Sequence, residues 1–255
     1  MKINGLEDLR AYVPALRPPR AVVAVVSAIL AVIALTTIFF LTVDHVFAEW
    51  MPDGEILLLA LGFILLARFF SARNSYTEAL SDGAYPVAFT RFAVPGLGIL
   101  AASVAHLGYM PGPLLPEVWW KPILLGLGWL SLAIGAALWL RSIDALGVDN
   151  LAMLYVYFPA QSRIVTSRIY SAIRHPVYSA ALRVAFGLAL IHANWYSIVV
   201  LPILWLFFLG WIVLVEEKEL IDRFPDYASY RRRVPAFWPR PSQITSFFRF
   251  IIAGG

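Results

Sequence analysis

The chain contains no cysteine. That excludes disulfide staples, thiolate nucleophiles and cysteine-ligated metal centres together. Charge is also scarce: Asp, Glu, Lys and Arg make up 14% of the 255 residues, while 60% are hydrophobic. Soluble domains carry about a quarter charged residues. Lysine is nearly absent, with Lys2, Lys121 and Lys218 as its only positions. There is no Gly-rich phosphate loop; Gly126-Leu127-Gly128 lies in an apolar run without a third glycine, which suits a close helix contact. His45, His106, His175 and His192 fall in four separate segments with no helical pair spacing, so no metal site is expected.

Long apolar runs take up the composition. The mean hydropathy of +0.75 leaves a surplus of apolar residues that only lipid can accommodate. Ala21–Val43 has no charged side chain before Asp44 and is long enough to span. Ile56–Ala72, interrupted by Arg68, Phe92–Tyr109, and Pro122–Leu140 behind Trp119-Trp120 are further spans. Between Arg183 and Glu216 no Asp, Glu, Lys or Arg occurs. One straight helix there exceeds a hydrocarbon core of about 30 Å, so the run is expected to break at Ile191–Trp195 into a hairpin, Val177–Ile191 and Tyr196–Val215. The expectation is one all-α, multi-pass membrane protein of about six spans. Residues 1–140 form the N-terminal helices, and 141–255 form a cofactor-binding region with the hairpin and an interfacial tail.

Arginines alternate between connections. They precede the first span, are missing from Asp44–Glu55, return at Arg73 and Arg91, and cluster at Arg141–Arg174 and after Lys218. By the positive-inside rule both termini are cytoplasmic. The same distribution explains the formal net charge of +4 through anionic lipid headgroups, without nucleic acid. The first twenty residues are polar and lack a signal-peptide pattern.

Two charged motifs bracket the hairpin. Arg174-His175-Pro176-Val177-Tyr178 stands at its start, where a helix-initiating proline leaves free backbone donors and a positive dipole end suited to a carboxylate. Glu216-Glu217 stands at its end, where the dipole disfavours acids and a cationic partner is required. Arg183 lies two turns into the first arm and is expected to pair with Glu216 or Glu217, or to meet the anionic end of a substrate. The basic, aromatic tail Arg223–Pro239 suits a segment lying on the leaflet and covering the site.

These pieces, with Leu140-Arg141, Leu146-Gly147, Ile164–Tyr170, Gly187, Leu220, Phe224, Tyr227, Tyr230, Val234-Pro235 and Pro239 in order, resemble the C-terminal half of the isoprenylcysteine carboxyl methyltransferase family. Phospholipid N-methyltransferases share a similar pattern. The resemblance implies a cytoplasm-facing site for S-adenosylmethionine. The positions matching its cofactor lining are Ser162, Arg163, Ile164 and Val165, then Tyr170, then His175, Pro176 and Tyr178, and finally Glu216. Arg174 beside His175 suits the cofactor's carboxylate. The implied acceptor is lipid-like or prenylated; an amine acceptor makes His175 or Glu217 a candidate base, and a carboxylate needs none. Three positions depart from the family: Arg168 and Ala180 replace glycines, and Ile212 replaces a substrate-holding arginine, a role that Arg183 is placed to take. Two rivals stand beside this reading. One is an NADPH-dependent membrane reductase related to sterol reductases; Val177 stands where that group has asparagine. The other is a non-enzymatic membrane protein, which predicts broken, paired polar helices.

Overall fold

The computed structural model describes residues 4–159 and 164–254. Among them every element is helical, and no strand occurs. In chain order the α-helices are α1 (Leu6–Tyr12), α2 (Pro19–Phe47), α3 (Met51–Ser71), α4 (Arg73–Leu80), α5 (Ala84–Ala88), α6 (Val94–His106), α7 (Lys121–Leu146), α8 (Val148–Leu151) and α9 (Leu154–Tyr157). Then come α10 (Pro176–His192), α11 (Trp195–Trp211), α12 (Glu217–Arg223), α13 (Tyr227–Arg233) and α14 (Ile244–Ala253).

Four helical runs are long and apolar enough to cross a membrane: Pro19–Ser71, Arg73–His106, Lys121–Leu146 and Trp195–Arg223. A 3-10 turn at Ala48–Trp50 breaks the first into α2 and α3. All six expected apolar segments are mainly helical, but α10 has only 17 residues. At about 1.5 Å per residue it falls short of a full hydrocarbon core. The hairpin breaks where the apolar run required. Asn194 caps α11, its Oδ1 accepting from Tyr196 N at 2.8 Å and Ser197 N at 3.4 Å. Ala193 turns the chain through a left-handed φ of 54°.

Glycine decides which helices touch by backbone. A Cβ at Gly187 would stand 2.8 Å from Gly128 O, and one at Gly135 3.1 Å from Ala180 O, so α7 and α10 lie against each other along their length. The expected contact at Gly126-Leu-Gly128 is thus half right: a Cβ at Gly126 meets nothing within 4 Å. In the N-terminal half α6 packs against both α2 and α3, with Gly96 against Gly62 O and Gly98 against Val32. An aromatic cluster joins the halves: Phe63 of α3 stacks on Phe207 of α11 at 5.7 Å and meets Phe208 edge-on at 5.2 Å. Amphipathic α14 returns to α7, burying Phe247 and Ile251, while Arg141 donates to Ile251 O and Ile252 O.

Candidate active site

Pro176 opens α10, and the tail folds back to cover that start. Arg174 N donates to Pro235 O at 2.9 Å, His175 N to Ala236 O at 3.0 Å, and the Ser179 hydroxyl to Phe237 O at 2.7 Å. Three backbone or hydroxyl donors at the helix start are thereby satisfied by one strap, Val234–Phe237. The tail lies against the start of α10.

The two charged motifs meet. Arg174 Nε lies 2.5 Å from Glu217 Oε1, and His175 Nε2 lies 3.0 Å from the same oxygen. Arg231 Nε approaches Glu217 Oε2 at 2.9 Å. The Glu217 side chain is fully buried and carries three cationic or hydrogen-bonding partners. Arg174 NH1 also donates to Val234 O at 2.6 Å. Arg174 is thus held by protein partners at Nε and NH1. Arg231 was hidden in a run of three arginines whose composition marks only the tail.

Glu216 is built differently. The π-turn Ile212–Glu216 ends on it, and π-turns inside helices recur at functional sites. Its Oε2 accepts from Trp211 Nε1 at 3.2 Å, and the same indole N–H lies 3.0 Å from Tyr178 OH. His175 Nδ1 stands 3.8 Å from Glu216 Oε1. Among the described residues no Arg or Lys pairs with Glu216. Tyr155, Tyr170 and Tyr178 all lie within its electrostatic reach. Burial, reinforced by the Glu216 charge, pushes the Tyr155 and Tyr170 phenols well above their ordinary range, so both stay protonated donors. Arg223 holds this wall in place, donating to Tyr155 O and, at 3.1 Å, to Val156 O. Tyr230 OH closes the other side on Tyr170 O at 2.6 Å.

Of the remaining sequence-derived positions, Ile164 lines a cavity of about 550 Å³ together with Thr166, Phe224, Asp226, Tyr230 and Arg233. Val165 packs at the edge of the cluster around Tyr170. Ser162 and Arg163 lie outside the described residues.

Arg183 does not meet either glutamate, contrary to the expected pairing. It is 7% exposed; its NH1 donates to Ser179 O at 3.0 Å and to the Ser179 hydroxyl. Its guanidinium lies 4.1 Å from the centre of the Trp238 ring. The tail's indole, rather than a carboxylate, shields the charge. A second, apolar groove of about 450 Å³ runs between α3 and α11, lined by Phe63, Ala67, Phe207, Gly210, Trp211 and Leu214, and ends at the Trp211 that bonds Glu216.

Residue 168, where the resembled family has glycine, adopts a left-handed φ of 57°. Arg168 holds that conformation through Asp144, at 2.8 Å, and Gly254 O, at 3.1 Å from Nε.

Similarity to known proteins fits this half of the chain. The family model described as phospholipid methyltransferase matches residues 123–226, from the start of α7 to the turn before α13. Over residues 123–226, less than half of its length, the chain is similar to the phospholipid methyltransferase family. The matched segment contains the α7–α10 seam, the hairpin and both charged motifs. The cobalt-zinc-cadmium resistance protein CzcN of Cupriavidus metallidurans is 33% identical over 126 residues, covering 49% of this chain and 53% of that protein. The nickel-cobalt-cadmium resistance protein NccN of Alcaligenes xylosoxydans xylosoxydans is 26% identical over 133 residues, covering 50% of this chain and 60% of that protein. The chain thus spans a little over half the length of these relatives. No solved structure matches it significantly.

Proposed function

We propose that the protein is an integral-membrane methyltransferase that uses S-adenosylmethionine and methylates an amphipathic acceptor drawn from the lipid phase. The observation that carries this reading is Glu216. A carboxylate without an Arg or Lys partner among the described residues, walled by Tyr155, Tyr170, Tyr178 and Trp211, fits a sulfonium or ammonium cation. When bound, the cofactor supplies an electrophilic methyl group. Tyr170, Pro176, Tyr178 and Glu216 would hold it, with Ile164 and Val165 and, by the family resemblance, Ser162 and Arg163.

The protein's own task is to position groups and exclude water. Glu217 accepts the Nε2–H of His175 and fixes its tautomer, leaving the Nδ1 lone pair on the Glu216 side. That nitrogen takes the proton of an amine acceptor; a carboxylate acceptor needs no such step. Glu217 itself, held by Arg174 and Arg231, orients His175 rather than acting as base. The α3–α11 groove accommodates an aliphatic chain whose polar end reaches Trp211. Arg183 offers Nε and NH2, which have no protein acceptor among the described residues, to an anionic group on the acceptor. We place the site and both termini on the cytoplasmic side, following the arginine distribution.

The relatives' names concern metal resistance. Among the described residues no three His, Cys, Asp or Glu side chains converge where a metal ion would sit; the methyl-transfer reading rests on Glu216 and its aromatic wall. Calorimetric titration of the purified protein with S-adenosylhomocysteine and, separately, with NADPH tests it. Saturable binding of the thioether is expected; saturable binding of NADPH alone would assign the protein to the reductases.

A further inference from the structure

At the far end of α10 from the candidate active site, three ionisable side chains from three helices meet inside the bundle. Glu55 of α3 and His106 of α6 are fully buried, and the Asp44 side chain of α2 is 12% exposed. His106 Nδ1 lies 2.8 Å from Glu55 Oε2, and His106 Nε2 lies 3.2 Å from Asp44 Oδ2. The Phe40 ring covers the imidazole face at 3.9 Å, nearly parallel, and the Tyr109 ring meets it edge-on at 4.9 Å. The Ser103 hydroxyl, fully buried, faces the Glu55 carboxyl. Glu55 Oε1 and Asp44 Oδ1 are buried without hydrogen-bond partners. From α10, His192 faces the group, but its Nε2 contacts Met110 O at 2.7 Å. Thr37 of α2 faces the Tyr109 hydroxyl.

The proton count of this arrangement is constrained. A neutral imidazole has one N–H and one lone pair. It satisfies one carboxylate; a second ionised carboxylate at the lone pair is repelled. Both contacts form only if a further proton is present, as an imidazolium between two carboxylates or as a carboxylic acid donating to the ring. The ring also separates the two carboxyls onto opposite nitrogens, so one ion cannot be shared between them. We propose that Asp44, His106 and Glu55 form a proton-binding site that fastens α2, α3 and α6 together, with Asp44 as its partly exposed mouth.

The sign follows from linkage. At neutral pH the unfolded chain holds one ring proton on these three groups, and the folded chain holds at least two. The folded state binds more protons, so stability falls as pH rises. Above the ordinary histidine range of about 6.5 the folded-to-unfolded ratio should drop roughly tenfold per pH unit for each extra proton. Denaturation of the full chain in detergent between about pH 7 and pH 9 reads this slope. Glu55→Gln supplies an amide N–H to the ring lone pair and removes the need for the proton, so its stability should be flat relative to the parent over the same range. An equal slope in both proteins overturns the proposal. If the variant does not fold, infrared and ring-nitrogen magnetic resonance spectra of the parent decide. A protonated carboxyl or an imidazolium at neutral pH supports the site; two ionised carboxyls beside a neutral ring refute it.

Discussion

His175 Nε2 stands 3.0 Å from Glu217 Oε1 across 42 positions of sequence, and the contact is closed from outside by Arg174 and Arg231. Two helix ends that the hairpin brings together are thus tied by one carboxylate. Glu216, the neighbouring residue, touches that network only through His175 Nδ1 at 3.8 Å and otherwise accepts from Trp211. Adjacent glutamates therefore carry different duties, and substitutions should separate them.

Glu217→Gln leaves Arg174 and Arg231 without their buried counter-charge. Breaking one partner of a buried ion pair costs about 3–5 kcal/mol. Because Arg231 is part-exposed, the lower end is expected, seen as a fall in thermal midpoint in detergent. Glu216→Gln should change stability by less than about 1 kcal/mol and weaken S-adenosylhomocysteine binding at least about tenfold, since a charge-assisted contact is lost. Equal stability losses in the two variants would contradict this division.

The α7–α10 seam makes a steric prediction. A Cβ at Gly187 falls 2.8 Å from Gly128 O and 2.9 Å from Leu132 N, both backbone atoms that cannot turn aside. Gly187→Ala should destabilise by about 1–3 kcal/mol through overpacking. Gly126→Ala, with open space around it, should be neutral or stabilising by up to about 1 kcal/mol from helix propensity. Comparing midpoints of the two variants checks the register of the seam.

Arg183 and Trp238 should separate stability from turnover. Arg183→Met removes a buried cation that has no carboxylate partner among the described residues, so its stability should stay within about 1 kcal/mol of the parent. Binding of S-adenosylhomocysteine should be unchanged, while the apparent KM for an anionic amphiphile rises. A loss of thioether binding would move Arg183 into the cofactor site instead.

The tyrosine wall gives a pH limit. Folding raises the Tyr155 and Tyr170 pKa values above the unfolded value of about 10. Their contribution is complete below that pH and is lost as pH climbs past it. The tyrosine share of alkaline destabilisation should begin above about pH 10. Tyr230→Phe, which leaves Tyr170 O without its 2.6 Å donor, should lower stability by about 1–2 kcal/mol.

Much of this was legible in the chain. The uncharged stretch from Val184 to Val215 is too long for one crossing, and Asn194 supplies the cap that splits it, so the meeting of Arg174-His175 with Glu216-Glu217 follows from spacing. Arg168 takes a left-handed φ of 57° that no periodicity marks, and an ion pair to Asp144 anchors it. Arg183's partner was not legible, because Trp238 reaches it through a tail whose path no periodicity encodes. The Asp44–His106–Glu55 group was hidden for a related reason. Hydropathy finds three helices but not the rotation of each about its axis, and that rotation decides whether the polar side chains converge.

The strap Val234–Phe237 receives hydrogen bonds from Arg174, His175 and Ser179, yet it follows the hairpin in the chain. A ribosome delivers it after both arms have already emerged. Insertion into lipid and assembly of the helices can therefore run ahead of the strap, and the start of α10 stays uncovered until Val234–Phe237 has docked.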